Sequence, residues 1–443
     1  MPRMRCVSMV LSIVGGASWA GCSGTSEPPR PADTSATAGA NNSGGNTGNT
    51  TGGSSGGASG TGGSASGATT GTGGPVDGSS SGGSTGNGGA TGTGGATPGG
   101  GPVQRYIYAG SAGNKVNVYD IDKGHRMIKA IGPLPGASGD LRGVCGNVLL
   151  HALYLFYQTS GGGRVIAMDL LTDKLIWSKD LSPGADRGDV SIDGTKLYVP
   201  AGEKYTEPLE FVLDPKTGMQ IGEFKLTSLV HDTDIGISGK YAYMETKSSP
   251  LVSVVDIASS KIVRDLTFGD IVGPHAVNGA DTYVVGNVFQ FFGFEMADVA
   301  TGKVVARVHA EGVPDPGNPD PPALRNHAIA WKPDETEVWL GSKYHPDLFV
   351  FDMTVMPPKQ NRRVTIGGGY HTTHWITFSI DGAYVYPSPE QNSGIPVQVI
   401  DSKTYKAVST IAYSEELMEV DFSDGRVVAV GSQYGIGRRA GAQ

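Results

Sequence analysis

Three histidines stand at matching places in consecutive stretches of this chain: His275 in HAVNGADTYVV, His327 in HAIAWKPDETEVW and His374 in HWITFSIDGAYVY. The last two align without a gap, and the first joins them after a two-residue shortening of the turn. Neutral imidazoles brought to one point can ligate copper, zinc or iron, and an incomplete coordination shell leaves room for a small substrate. The same position holds Arg142 in LRGVCG and falls at Asp186-Arg187 in DRGDV, while HDTDIG adds His231, Asp232 and Asp234 and His371 lies just before His374. With Arg142 or Arg187 holding a carboxylate or an oxyanion, a histidine could instead serve as a general base. A third reading needs no chemistry: each imidazole bonds a carbonyl next to it and lines a wet channel.

All three readings require elements that aim these residues at a shared axis. From residue 105 the chain runs in short segments rich in Val, Ile and Tyr, bounded by Gly, Asp, Lys and Pro, with no helical period. One signature recurs: an apolar strand ending in Asp, then a short turn. It gives Asp120, Asp169, Asp214, Asp256, Asp298, Asp352 and Asp401, at intervals of roughly 42 to 54 residues, the spacing of a propeller blade. The carboxylate has a mechanical task there, since it can accept the backbone N–H groups of the turn that follows. RGDVSIDGTKLYV, HAIAWKPDETEVWL, HWITFSIDGAYVY and MEVDFSDGRVVAV read as the first hairpin of a blade, so each blade has four strands.

RYIYAGSAGNKVNVYDIDKG begins one strand late, and the C-terminal LMEVDFSDGRVVAVGSQYG supplies the missing first strand. The expected fold is therefore an all-β, seven-bladed β-propeller over 105–443, closed by its two ends; whether RYIYAG or RVVAVG takes the second position in the closing blade stays open. Closure removes the sheet edges that would otherwise invite association. The blade text IDGTKLYVPAGE…LEFVLDPKTG resembles the YVTN-repeat propellers, also called lactonase-like or surface-layer propellers. That resemblance implies the fold, and it spans binding scaffolds, hydrolases, lyases and redox enzymes. The channel histidines are similar in kind to those of nitrous oxide reductase and selenium-binding-protein propellers, which implies a metal. The His and Arg pairing resembles streptogramin lyases, which implies metal-free catalysis.

The remaining histidines have plainer readings. His125, His309 and His345 fall on turns or outer strands and face solvent, and His151 in VLLHALYLF reads as a core residue. The proline-rich HAEGVPDPGNPDPPALRN, 309–326, enters the strand that carries His327, and is a lid, a partner-binding edge or a surface elaboration. FQFFGF, 289–294, reads as packing between blades.

The chain opens MPRMRCVSMVLSIVGGASWAGCSG, two arginines before an apolar run too short and glycine-rich to span a membrane. Trp19-Ala20-Gly21-Cys22 resembles the bacterial lipobox, which implies a signal peptide over 1–21 and a lipid anchor on Cys22. Residues 22–104 are almost wholly Gly, Ser, Thr, Ala and Asn and bury nothing, so they read as a disordered tether with a span on the order of 50 Å. The chain contains 3 cysteines, of which Cys145 alone falls in the folded part, so no disulfide forms there and stability must come from burial. The net charge of −8 and the lack of a basic stretch with interleaved aromatics argue against nucleic acid. The function expected is a monomeric, lipid-anchored module on the outer membrane, cell surface or periplasmic side of a bacterium, holding a small molecule or protein at the channel mouth. The alternative is a His-ligated copper, zinc or iron oxidoreductase, or a lyase or hydrolase, in the same channel.

Overall fold

The computed structural model describes residues 101–438, apart from 203, 205, 206, 318–322, 368, 370, 371, 391 and 392. Cys22, the signal segment, the tether up to residue 100 and His371 lie outside the described residues. Within them the secondary structure is entirely strand and turn.

The strands form antiparallel meanders in chain order. One runs Asp140–Asn147, Ala152–Thr159, Gly162–Asp169, Leu175–Leu181, and the next begins at Asp189–Val190 and ends at Gln220–Lys225. Two more, starting at Val230–Ile235 and Val272–Val277, are joined at their outer edges by a single parallel pair, Thr267↔Lys303. Asn326–Trp331 and Trp375–Phe378 open the following two. The strand that opens each meander packs against the opening strand of the next, around to Leu417–Ser423, which returns to Asp140–Asn147. This is a closed β-propeller.

Closure also settles the open question about its ends. Gln104–Ser111, carrying RYIYAG, pairs with both Leu417–Ser423 and Lys115–Asp120 and so takes the second position. Arg426–Val430 pairs only with Leu417–Ser423 and adds a fifth strand on its other side. The ordered ring starts slightly before residue 105, since Gly101 N–H donates to Asp424 at 2.9 Å.

Burial follows from this geometry. Strands in the interior are covered on both faces, as in Ala152–Thr159 and Glu337–Ser342, whereas outer strands such as Arg126–Ile131 are mostly exposed. The core therefore lies between neighbouring sheets. Phe292 and Phe294 meet Phe349 and Phe351 edge to face, with centroids 5.4 and 4.9 Å apart. FQFFGF supplies this packing. Cys145 is buried in a similar apolar cluster, and burial pushes its thiol well up, which suits an inert hydrophobe.

All seven repeating aspartates cap their turns. Asp401 Oδ1, for example, accepts Lys403 N–H at 3.1 Å, Thr404 N–H at 2.7 Å and the Thr404 hydroxyl at 2.9 Å. Equivalent backbone bonds run to Asp120, Asp169, Asp214, Asp256, Asp298 and Asp352. Asp401→Ala should lower stability by about 1 kcal/mol, the net worth of a lost bond of this kind; a urea midpoint unchanged by the substitution would contradict the capping role.

Candidate functional site

The opening strands run side by side in the same direction, so equivalent residues form rings around the axis. Equivalence is fixed by strand pairing: three residues after the one that faces the capping aspartate, each second strand is paired with Leu417, Val144, Thr233, His275, Ile329 and Ile376 in six meanders. Two residues earlier stand Glu415, Arg142, His231, Gly273, His327 and His374, and the remaining meander contributes Asp186 by the same rule. His327 and His374 thus share a ring, as the sequence suggests, and Arg142 and His231 belong to it.

His275 does not. It sits two residues deeper, and the two-residue gap needed to align it with His327 is absent from the structure. The ring position is Gly273, where a Cβ would lie 2.4 Å from Leu324 Cδ1 of the proline-rich insertion. The same bulge interrupts both strands, between Val272 and His275 and between Asn326 and Ile329, so it does not account for the offset.

The three imidazoles of the ring are tied by one nitrogen each. His327 Nδ1–H donates to the His374 carbonyl at 2.7 Å, and His374 Nδ1 lies 2.5 Å from Glu415 Oε1. Their rings overlap with centroids 3.9 Å apart. Burial, then repulsion from His374 and Lys343, holds His327 well below the ordinary histidine range. Burial also lowers His374, against the pull of Glu415. His231 Nε2 faces Arg187 Nη1 at 3.1 Å, and because a guanidinium can only donate, Nδ1 must carry the proton toward Glu245 Oε2, 3.3 Å away.

Arg187 is the hub beneath this ring. Fully buried, it donates to Asp186 Oδ1 and Glu415 Oε1, both at 3.0 Å, and its guanidinium lies 4.7 Å from the Trp375 ring centroid. Asp186 also accepts from Arg142 Nε at 3.0 Å. Burial alone would raise Asp186, but the two guanidinium groups overcome it and hold the carboxyl at about 2. One side chain therefore joins three meanders by charge-assisted bonds, its own and those of His231 and Glu415, and reaches a fourth through the Trp375 ring.

Above the ring lies a cavity of about 260 Å³. Arg142, His231, His327 and His374 form one part of its wall, and Gly273, Leu324 and Phe289 another. Lys247, Lys343, Glu245 and Glu390 add further charged groups to it, and these four escape a reading based on histidines. A sequence signal for the lysines exists: each follows a second strand in the same register, in MET-Lys247 and LGS-Lys343, and each donates its backbone N–H to the turn before the opening strand, to Leu229 O and Arg325 O. Burial, with Arg187, Arg142 and Lys343 adding to it, lowers Lys247 from 10.5 to about 8 despite Asp186.

The opposite end of the channel is filled. Residues 431–438 cross it: Gln433 O accepts from the Thr377 hydroxyl at 3.0 Å, Gly435 O from Trp331 N–H at 2.7 Å, and Gly437 N–H donates to Val277 O at 3.0 Å. Tyr434 packs on Trp375 with centroids 5.6 Å apart. The channel is a cup rather than a through-going wet tube.

Asp232 and Asp234, expected at the channel opening, are buried in the wall below the cup, and Asp232 pairs through its backbone with Arg187. His125 and His151 depart from expectation, while His309 is exposed at the end of its outer strand as expected. His125 is buried and bonds the Tyr386 hydroxyl at 2.8 Å, and desolvation lowers it to about 4. His151 occupies a hairpin turn with φ 49° rather than the core. His309 and His345 hold the insertion, through Asp315 at 3.4 Å and Pro314 O at 3.0 Å.

No protein-family model matches the chain, and no curated protein matches it. Among solved structures it is similar to the dihydro-heme d1 dehydrogenase NirN in complex with DHE, with TM-score 0.51 and 15% identity over 71% of this chain and 74% of that one. It is also similar to the β-propeller domain of Cps50 (Swd1) from Myceliophteria thermophila, with TM-score 0.50 and 12% identity over 66% of this chain and 91% of that one. At such identity the likeness is one of fold.

Proposed function

We propose that this protein is a binding module whose cup holds a small organic acid. The observation that carries this reading is the convergence of Arg142, Lys247 and Lys343 on one cavity in which burial lowers His327 and His374. The three cations outnumber the two carboxylates that line the same cavity, Glu245 and Glu390, which favours an anion, and Arg offers the fork that suits a carboxylate. Phe289, Leu324 and Pro274 give the opposite wall an apolar surface for the body of the ligand. The volume falls just short of the roughly 300 Å³ at which drug-sized pockets begin, so the ligand is small.

We read the ring as seven-bladed with a repeat of the YVTN kind, a reading that the seven opening strands among the described residues support. We place it extracytoplasmically as a monomer, on a tether anchored through a lipid on Cys22 of a bacterial lipoprotein; residues 1–22 and the Gly/Ser/Thr run support this.

A metal-dependent enzyme is the second reading. It is favoured by the Nδ1 contacts of His327 and His374, which leave Nε2 of each as the lone-pair nitrogen, the arrangement seen in metal ligands oriented by a carbonyl or a carboxylate. The neighbouring lysines and Arg142 oppose it, because they repel a cation. A thermal-shift panel separates the two. Dicarboxylates and tricarboxylates at millimolar concentration should raise the melting temperature of the purified protein by several degrees, through preferential binding to the folded state. Stabilisation by copper or zinc, abolished in His327→Ala, with no response to any carboxylate, would replace the first reading by the second.

A further inference from the structure

Below the cup, a second constellation lies in the wall between the meanders that open with Val230–Ile235 and Val272–Val277. Asp232, Glu245 and His275 each offer a ligand atom, and these atoms all lie within 4.8 Å of one another. Asp232 and His275 are fully buried, and Glu245 is nearly so. Among the described residues neither carboxylate oxygen of Asp232 has a hydrogen-bond partner, and the same is true of Asp234, whose Oδ2 lies 3.8 Å from His275 Nε2. Arg187, although its backbone bridges Asp232, spends its guanidinium on Asp186, His231 and Glu415.

Four carboxylate oxygens without a donor, in a water-poor wall, are an unusual expenditure of stability, since a buried unsatisfied polar group costs about 1–3 kcal/mol and a charged one more. Two outcomes relieve it: the acids take up protons, or a cation sits among them. Simple protonation leaves the imidazole unexplained. The opposed Asp232 and Glu245 carboxylates and the His275 ring instead form a mixed oxygen and nitrogen donor set, and Glu245 also reaches the cup, which gives an ion a route in.

We infer that Asp232, Glu245 and His275 bind one divalent metal ion of the Mn²⁺, Fe²⁺ or Zn²⁺ type, with Asp234 beside it as a further ligand or a partner of the ring. Two carboxylates and one imidazole suit these ions better than the all-oxygen shells preferred by Ca²⁺ and Mg²⁺. In a shell with bonds of 2.0–2.2 Å, ligand atoms lie about 3 to 4.4 Å apart, so small side-chain movements close the observed group around an ion. The site is separate from the histidine pair of the cup and does not depend on the anion reading. Its ion neutralises the buried acids and holds Glu245, which in turn orients His231 at the floor of the cup.

The test is metal content and metal-dependent melting of the chelator-treated full chain after addition of Mn²⁺ or Zn²⁺. The wild type should take up about one equivalent and melt several degrees higher. Asp232→Asn, isosteric and without the buried charge, should fold yet bind at least 100-fold more weakly, and His275→Gln should show the same loss. His327→Ala and His374→Ala should retain the ion. No uptake by the wild type, full retention in Asp232→Asn and His275→Gln, or loss of the ion in His327→Ala would each overturn the assignment.

Discussion

Arg187→Met should lower the stability of the ring by about 3–5 kcal/mol, the loss seen when one partner of a buried charge pair is removed. The reason is geometric. The guanidinium holds Asp186, His231 and Glu415 and lies against Trp375, so its removal leaves Asp186 with Arg142 alone and Glu415 with His374 alone, and unseats the imidazole of His231. It also takes away the cation 3.8 Å from the buried Glu416. Lysine at this position keeps the charge but not the fork, and should restore less than half of the loss. Equilibrium denaturation in urea reads the effect; a loss below 1 kcal/mol would mean that the acids relax or protonate without harm.

The second large effect concerns the ligand. A hydrogen bond to a charged group contributes about 1.5–3 kcal/mol, so Lys247→Met and Lys343→Met should each weaken binding of an organic acid by about 10- to 100-fold. Lys247 adds a dependence on pH. Its folded value of about 8 lies below the ordinary 10.5, so between these values the folded protein binds fewer protons than the unfolded chain. Stability without ligand should therefore rise as pH climbs from about 8 to 10.5, while affinity for the acid falls over the same window as the ammonium is lost. Arg187, which Asp186 holds charged against its burial, and Asp186 itself keep their charge there, so Lys247 is the group that moves. In Lys247→Met the slope of affinity against pH should flatten; an unchanged slope would assign the titration to another group.

The architecture was largely legible from the chain because it rests on local rules repeated many times. The turn aspartates announce the third strand of each meander, and the alternating apolar segments announce the rest. The same repetition is what sets Arg142, Asp186, His231, His327 and His374 at one level of the ring. His275 was misplaced because matching histidine to histidine demands a shortened turn, whereas the turns between Val277 and Val284 and between Trp331 and Val338 have the same length; the spacing to the capping aspartate, 23 residues from His275 to Asp298 against 25 from His327 to Asp352, carries the offset. Gly273, which actually fills the ring, has no side chain to attract notice; only the packing of Leu324 explains it. Lys247 and Lys343 were overlooked because lysine in a turn ordinarily means solvent. Their role emerges from the closing of the ring, which brings two turns separated by 96 positions in numbering to one cavity.

The C-terminal segment was the hardest to foresee. GSQYGIG reads as a tail, yet Gly435, at φ 68°, lets its backbone pass so near Ala330 that a Cβ would lie 2.2 Å from the alanine side chain. Its seating converts a channel into a cup with one mouth. Ligand and solvent therefore meet Lys247, Lys343 and the ring from one side, where the proline-rich insertion contributes Ala323 and Leu324.

The most direct test of the cup is a crystal structure of the protein soaked with the carboxylate that stabilises it most in the thermal panel. The account predicts density for the acid in the cup, with carboxylate oxygens about 2.7–3 Å from Arg142 and from the ammonium groups of Lys247 and Lys343. An empty cup at saturating ligand, or a metal ion bridging His327 and His374 in its place, would contradict it.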